Sequence, residues 1–187
     1  MKRFFAAVLI PVLAGCLTSK APPVFCWPLE YKGPVASAPS PKYGVVRVLP
    51  IAVRAPYSAR SITVLRMDGS VAFDSLNEFS ALPAQLAKGA LSDALTASGL
   101  FKDVVETSSI ATSDVSVEVT VDRLALDCRQ EDRRAAVAEI VVKLLKGHSI
   151  LASLRGSGAA DAADGNYGTA FSTAFSSALA MALEQLR

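Results

Sequence analysis

The 187 residues contain a single histidine, one tryptophan and three cysteines, so the side chains most used for ligation and acid–base work are scarce. No Cys-x-x-Cys, His-Glu-x-x-His or Gly-x-Ser-x-Gly occurs, which removes the common redox, zinc and hydrolase signatures. His148 sits in Lys146-Gly147-His148-Ser149, between two apolar runs, and reads as an exposed turn residue without catalytic partners. An excess of one charge sign is also missing: 19 basic residues face 17 acidic ones. Without clustered Lys and Arg, nucleic acid is excluded as a partner. Asp161 and Asp164 do not fit the spacing of a calcium loop. Glu131-Asp132-Arg133-Arg134 reads as a solvated turn, and Gly156-Ser157-Gly158 as a loosened strand edge rather than a phosphate loop. The chain is therefore expected to be no enzyme and to hold no metal or cofactor.

What is present begins with a targeting segment. Lys2-Arg3 precedes the apolar run Phe4 to Leu13, which is too short to be a settled membrane span. Leu13-Ala14-Gly15-Cys16 then reads as a lipobox, with small residues before a cysteine whose thiol accepts a diacylglyceryl group. Residues 1–15 are read as a cleaved lipoprotein signal peptide and Cys16 as the lipidated first residue. Two or three acyl chains there would anchor the protein firmly, where one alone binds marginally. Leu17 follows rather than Asp, which points to the outer membrane, periplasmic face. Removing Lys2 and Arg3 leaves 17 basic against 17 acidic residues, a formal charge of zero.

Residues 16–43 form the tether. Pro22, Pro23, Pro28, Pro34, Pro39 and Pro41 lie here, so the segment is expected to be extended. Phe25-Cys26-Trp27-Pro28-Leu29-Glu30-Tyr31 is too apolar for a free linker and is expected to dock on the domain. Two cysteines remain after Cys16, and in the oxidising periplasm an even count favours a Cys26–Cys128 bridge. The alternative is two free thiols, packed as small apolar groups.

Residues 44–187 read as one domain. Val45 to Val53 is a covered strand, with Arg47 and Pro50 as blemishes. Ser61 to Met67 is a strand, Asp68-Gly69 a hairpin turn, and Val71 and Phe73 resume the alternation. Ser80 with Pro83 opens a helix whose buried arc is Leu82, Leu86, Ala87, Ala90, Leu91, Ala94 and Leu95. Its polar arc is Gln85, Lys88, Ser92 and Thr96, and Gly99 is its left-handed cap. Lys102 to Glu106 is a short strand. Val115, Val117, Val119 and Val121 alternate with polar residues, then Leu124, Leu126 and Cys128 take over in the opposite phase. A β-bulge near Asp122-Arg123 repairs that slip. Ala136, Ala138, Ile140, Val142 and Leu144 form the next inward face, followed by Ile150, Ala152 and Leu154. The last helix buries Phe171, Phe175, Ala178, Leu179, Ala182 and Leu186, with Ser172, Ser176 and Glu184 outside. The fold class is α/β (α+β): a two-layer sandwich, a mostly antiparallel sheet with two helices on one face.

Ala55-Pro56-Tyr57, then Ser61-Ile62-Thr63-Val64-Leu65-Arg66, then Glu78-Phe79-Ser80-Ala81-Leu82-Pro83-Ala84-Gln85-Leu86, then Ser98-Gly99-Leu100-Phe101-Lys102-Asp103-Val104-Val105 follow in one order. From Pro41 to the C-terminus this resembles the ABC-type transport auxiliary lipoprotein family. Where that family commonly has Asn-Arg-Trp before the helix, this chain has Asn77-Glu78-Phe79, so the basic residue is replaced. The resemblance implies a non-enzymatic accessory lipoprotein of an MCE-type system that moves lipid between the inner and outer membranes. It implies an MCE-domain protein as partner, with Tyr57, Asn77, Glu78 and Phe79 as candidate contacts; Tyr57 and Phe79 read equally well as core. Assembly with copies of itself stays open. A structural envelope lipoprotein binding peptidoglycan or an outer-membrane assembly factor is the alternative, because fold alone does not separate such roles.

Overall fold

Sixteen consecutive residues, beginning with valine at every second position from Val115 to Val121, make the spine of the molecule. The computed structural model describes residues 21–34, 40–163 and 165–187; Cys16, and with it the lipidation reading, lies outside them, as does Asp164. Among the described residues nine strands and two helices follow in order: β1 (Phe25–Trp27), β2 (Tyr43–Val48), β3 (Ala52–Val53), β4 (Ser61–Arg66), β5 (Val71–Phe79), α1 (Pro83–Ser98), β6 (Phe101–Glu106), β7 (Val115–Gln130), β8 (Arg133–Lys146), β9 (Ser149–Asp161) and α2 (Tyr167–Glu184).

The spine is β7. On one side it pairs antiparallel with β8, and β8 with β9, along most of their lengths. On the other side it receives three short parallel strands in succession, β2 at Val115–Val117, β3 at Thr120–Val121 and β4 at Leu126–Cys128. Outward from these, β6 pairs parallel with β2, β5 antiparallel with β4, and β1 parallel with β5. The sheet is thus mixed: the long ladders are antiparallel, and the parallel ones are short and numerous. Alternation reports which face a side chain takes, but not which strand lies alongside, so the parallel additions could not be read from the sequence.

The bulge falls where the phase slips. Val121 is opposite Ile140 while Arg123 is opposite Glu139, leaving Asp122 as the extra residue. It returns Leu124 and Leu126 to the inner face, and Arg54 Nε pairs with the displaced Asp122 carboxylate at 2.7 Å. Gly69 (φ 80°) and Gly99 (φ 64°) take the left-handed backbone that their turn and cap require. A second bulge between Leu144 and Leu145 places Ile150 opposite Leu145 and leaves it exposed, against its expected inward position.

Both helices cover one face, and their apolar residues join the inner faces of β2, β7 and β8 in a single core. In α1, Ala87, Ala90, Leu91, Ala94 and Leu95 are buried and Leu86 is partly so. Leu82 is exposed, contrary to expectation: it occupies the N-cap with an extended backbone, so the helical phase does not apply to it. The opposite face of the sheet carries cross-strand ion pairs, Glu118–Lys143 at 2.7 Å and Arg123–Glu139 at 2.9 Å.

Two features of α2 correct the reading of its sequence. Ser172 and Ser176 are buried, because the segment after β1 lies across them: Ser172 Oγ accepts from the Glu30 amide at 3.0 Å and Ser176 Oγ from the Lys32 amide at 2.7 Å. Gly156 and Gly158 on β9 form no loosened edge. A Cβ at Gly156 would lie 1.9 Å from Ala178 O, and one at Gly158 would lie 2.0 Å from Ala174 O. The missing side chains are what lets the helix backbone sit on the strand.

Arg47 is likewise no blemish. Its guanidinium donates to Glu106 O (3.1 Å), Thr107 O (3.4 Å), Ser109 O (3.0 Å) and Ala111 O. One side chain thereby satisfies successive carbonyls of the loop between β6 and β7, which has no strand partner of its own.

Candidate functional site

The residues singled out before the first helix gather at the junction of β1 and β5. Parallel pairing sets Phe25 beside Asn77, Cys26 beside Glu78 and Trp27 beside Phe79. Three residues make too short a strand to hold by backbone bonds alone, and side chains complete the attachment. Trp27 Nε1 donates to Asn77 Oδ1 at 2.9 Å, and its ring meets Tyr167 edge-on with centroids 6.1 Å apart. Leu29, one turn further, is buried in the core. The apolar segment 25–31 therefore docks, as its composition predicts.

Asn77, Glu78 and Phe79 are engaged within the molecule rather than presented together to a partner. Asn77 Nδ2 donates to Asp74 Oδ2 at 3.1 Å while its carbonyl holds Trp27. Glu78 Oε1 accepts from Arg60 Nη2 at 2.5 Å and from Cys26 Sγ at 3.4 Å. Phe79 is 1% exposed and meets Phe171 edge-on at 5.1 Å, so it is core. Tyr57 is partly buried against the core, following a cis Ala55–Pro56 bond. Glu78 thus stands in an acid–base pair inside the junction, and Arg60 on β4's approach supplies the basic partner.

The expected Cys26–Cys128 bridge does not form; both cysteines are free. Cys26 is level with Glu78 and Ser61, whereas Cys128 is level with Arg66, five residues further along β4. Three strand spacings put them about 14 Å apart across the sheet alone, and a disulfide needs Cα atoms within about 7 Å. An even count does not see this, because it carries no distance. Cys128 is partly buried, and burial pushes its thiol above the ordinary value, against the opposing pull of Arg134. Without reductant, a thiol reagent is expected to modify both cysteines of the chain from Ala21 onward, exposed Cys26 quickly and Cys128 slowly. Labelling at neither position until a reductant is added would restore the bridge.

On the uncovered face of the sheet lies an open depression of about 340 Å³, floored by Ala135, Val137 and Ala159 and rimmed by Arg129, Gln130 and Arg133. Arg129 grips Asp127 through Nε at 2.9 Å and Nη2 at 2.5 Å. That hydrogen bond holds the Asp127 carboxyl below the usual carboxylate range. The guanidinium is already paired, so this is a braced surface and not a poised acid–base couple. His148 is exposed in the two-residue turn between β8 and β9, as its flanking runs predict. Among the described residues no group of three His, Cys, Asp or Glu side chains is placed to hold a metal ion. No described helix is long and apolar enough to cross a membrane.

No family model matches the chain. No curated protein matches it either. Among solved structures it is similar to a crystal structure of a Xanthomonas campestris protein assigned to family-model DUF330, with 18% identity and a TM-score of 0.64. The match covers 86% of this chain and 89% of that one. It is similar, too, to a crystal structure of an uncharacterized protein at 10% identity and a TM-score of 0.63, covering 90% of this chain and 100% of the other. At such identities the likeness is one of fold: this mixed sheet, backed by two helices, is an architecture shared nearly end to end.

Proposed function

We propose that this chain is a non-enzymatic lipoprotein, anchored through acyl chains on Cys16 to the periplasmic face of the outer membrane, that positions an MCE-type lipid transporter there. The observation that carries the reading is the attachment of residues 25–32 to the domain. Beginning at Phe25 the chain is pinned by strand pairing, by Trp27–Asn77 and by the two serines of α2. Only the residues between Cys16 and Phe25 remain as a spacer, so a pull on the anchor is delivered directly to the sheet. A short spacer, a rigid domain and a formally neutral mature chain suit a module that holds another assembly at a set distance from a membrane. The partner is read from the resemblance of residues 41–187, and the anchor from Leu13-Ala14-Gly15-Cys16. The role asks for no cofactor besides the covalent lipid.

The experiment is purification of the acylated protein from a detergent extract of membranes. An MCE-domain protein is expected to co-purify, and Cys16→Ser is expected to abolish both membrane retention and that recovery. Co-purification of peptidoglycan or of outer-membrane assembly factors in its place would replace the transporter reading with a structural one.

A further inference from the structure

Six of the eleven large apolar side chains exposed among the described residues lie on one edge of the sheet. Val24, Phe25, Met67, Val71, Phe73 and Leu76 are all exposed, Met67 and Phe73 by 62% and 55%. All of them belong to the β1–β5 edge or to the turn joining β4 and β5. Single exposed apolar residues are ordinary, whereas a run of them along one edge marks a contact surface.

Strand directions place that edge relative to the anchor. β7 runs toward the Glu131-Asp132 turn, and β4, parallel to it, reaches the Asp68-Gly69 turn at the same end. β5 returns antiparallel to β4, and β1 runs parallel to the last residues of β5, with Phe25 beside Asn77, so the chain entering β1 comes from the direction of that end. The chain preceding Phe25 is therefore directed along β5 toward Phe73, Val71 and Met67. Nine residue steps from Cys16 to Phe25 span at most about 32 Å, while the sixteen residues of β7 alone extend about 53 Å. The apolar end lies six residues, about 20 Å, back along β5 from Asn77, within the reach of that spacer and in the direction it takes; the Gly147-His148 turn is at the other end.

On the reading that Cys16 is acylated, we propose that the β1–β5 edge rests on the same bilayer, with Met67, Val71 and Phe73 entering its headgroup region. Anchor and edge together then fix the orientation of the domain, which an acyl tether alone would leave free to tumble. A second copy adding its own strand to β5 is disfavoured by Asp74. Its carboxylate accepts the amides of Leu76 at 2.8 Å and Asn77 at 3.0 Å, kinking β5 and withdrawing those donors from the edge. Charges around the tip are of both signs, Arg66, Arg129 and Arg133 among Asp68, Glu131 and Asp132, so the contact is apolar and requires no anionic lipid.

The test uses the full-length acylated protein carrying Phe73→Trp or, as the far-end control, Leu151→Trp, which replaces another exposed apolar residue. Each variant is reconstituted into phosphatidylethanolamine and phosphatidylglycerol vesicles whose acyl chains carry bromine; Trp27 is a background common to both. The added emission of F73W is expected to fall by about half and that of L151W to stay unchanged, since bromine quenches only indoles that reach the acyl boundary. Raising salt should leave the difference intact. Equal emission from the two variants in vesicle-bound protein overturns the edge contact and leaves the anchor standing. Shielding of F73W from aqueous iodide without bromine quenching overturns it in favour of a second copy. Protein that fails to float with the vesicles overturns the anchor reading, and this inference with it.

Discussion

Gly158→Val is expected to destabilise the domain by at least about 3 kcal/mol, as overpacking against an obstacle that cannot rotate away. The new Cβ would meet Ala174 O at 2.0 Å and the Ser177 and Ala178 atoms within 3 Å. The contacted oxygen belongs to helix backbone, so relief requires lifting α2 off β9 and β8. That helix supplies Phe171, Ala174, Phe175, Ala178, Leu179 and Ala182 to the core, so displacing it loosens packing along its whole length. Gly156→Ala makes the same point one turn on, against Ala178 O. Gly69→Ala is a different case, strained by its positive φ rather than by space, since nothing lies within 4 Å of it. Urea titration of the chain from Ala21 onward checks all three. A Gly158 variant as stable as the parent would mean that α2 does not lie on the strand at the described distance.

Phe171→Ala is expected to cost about 3–5 kcal/mol, the usual range for emptying a buried aromatic site. Phe171 is fully buried and meets Phe79 edge-on, an arrangement worth about 0.5–1.5 kcal/mol beyond area alone. Phe79 arrives from the last residue of β5, next to where Trp27 docks, so the same truncation should loosen the junction of the tether with the domain. Trp27, the sole tryptophan, reports on this: its emission should shift toward that of water-exposed indole in Phe171→Ala at urea concentrations where the parent is unchanged. Leu82→Ala, by contrast, should fall within about 0.5 kcal/mol of the parent because Leu82 is exposed. Equal losses at Phe171 and Leu82 would contradict the described core.

Contacts between the N-terminal segment and the domain converge on the β1–β5 junction. Of the candidate partner contacts, Asn77 and Glu78 bond to Trp27 and Cys26 of the chain's own N-terminal segment, and Phe79 packs on Phe171. The contact there is internal: Trp27 needs an acceptor for its indole N–H, and Asn77 supplies it. The surface left for other molecules is displaced to the apolar rim of the same edge and to the Arg129–Asp127 face.

Local chemistry by itself determined a good deal of this protein. Valine at every second position made the first half of β7, the slip in that alternation required the bulge at Asp122, and Gly69 and Gly99 were needed where the backbone turned left-handed after β4 and α1. The apolar content of residues 25–31 obliged Trp27 and Leu29 to find cover. These features depend on residues near one another in the chain, whose periodicity and backbone freedom are visible without a fold. Only the tertiary structure decided that β2, β3 and β4 would line up parallel along one edge of β7, since faces are encoded by period and neighbours are not. It decided that Ser172 and Ser176 would be buried, because their amide partners come from Glu30 and Lys32, far away in sequence. It kept Cys26 and Cys128 three strands apart, and it turned two glycines of β9 into the seat of a helix, since close approach of one backbone to another is a property of the assembled layers.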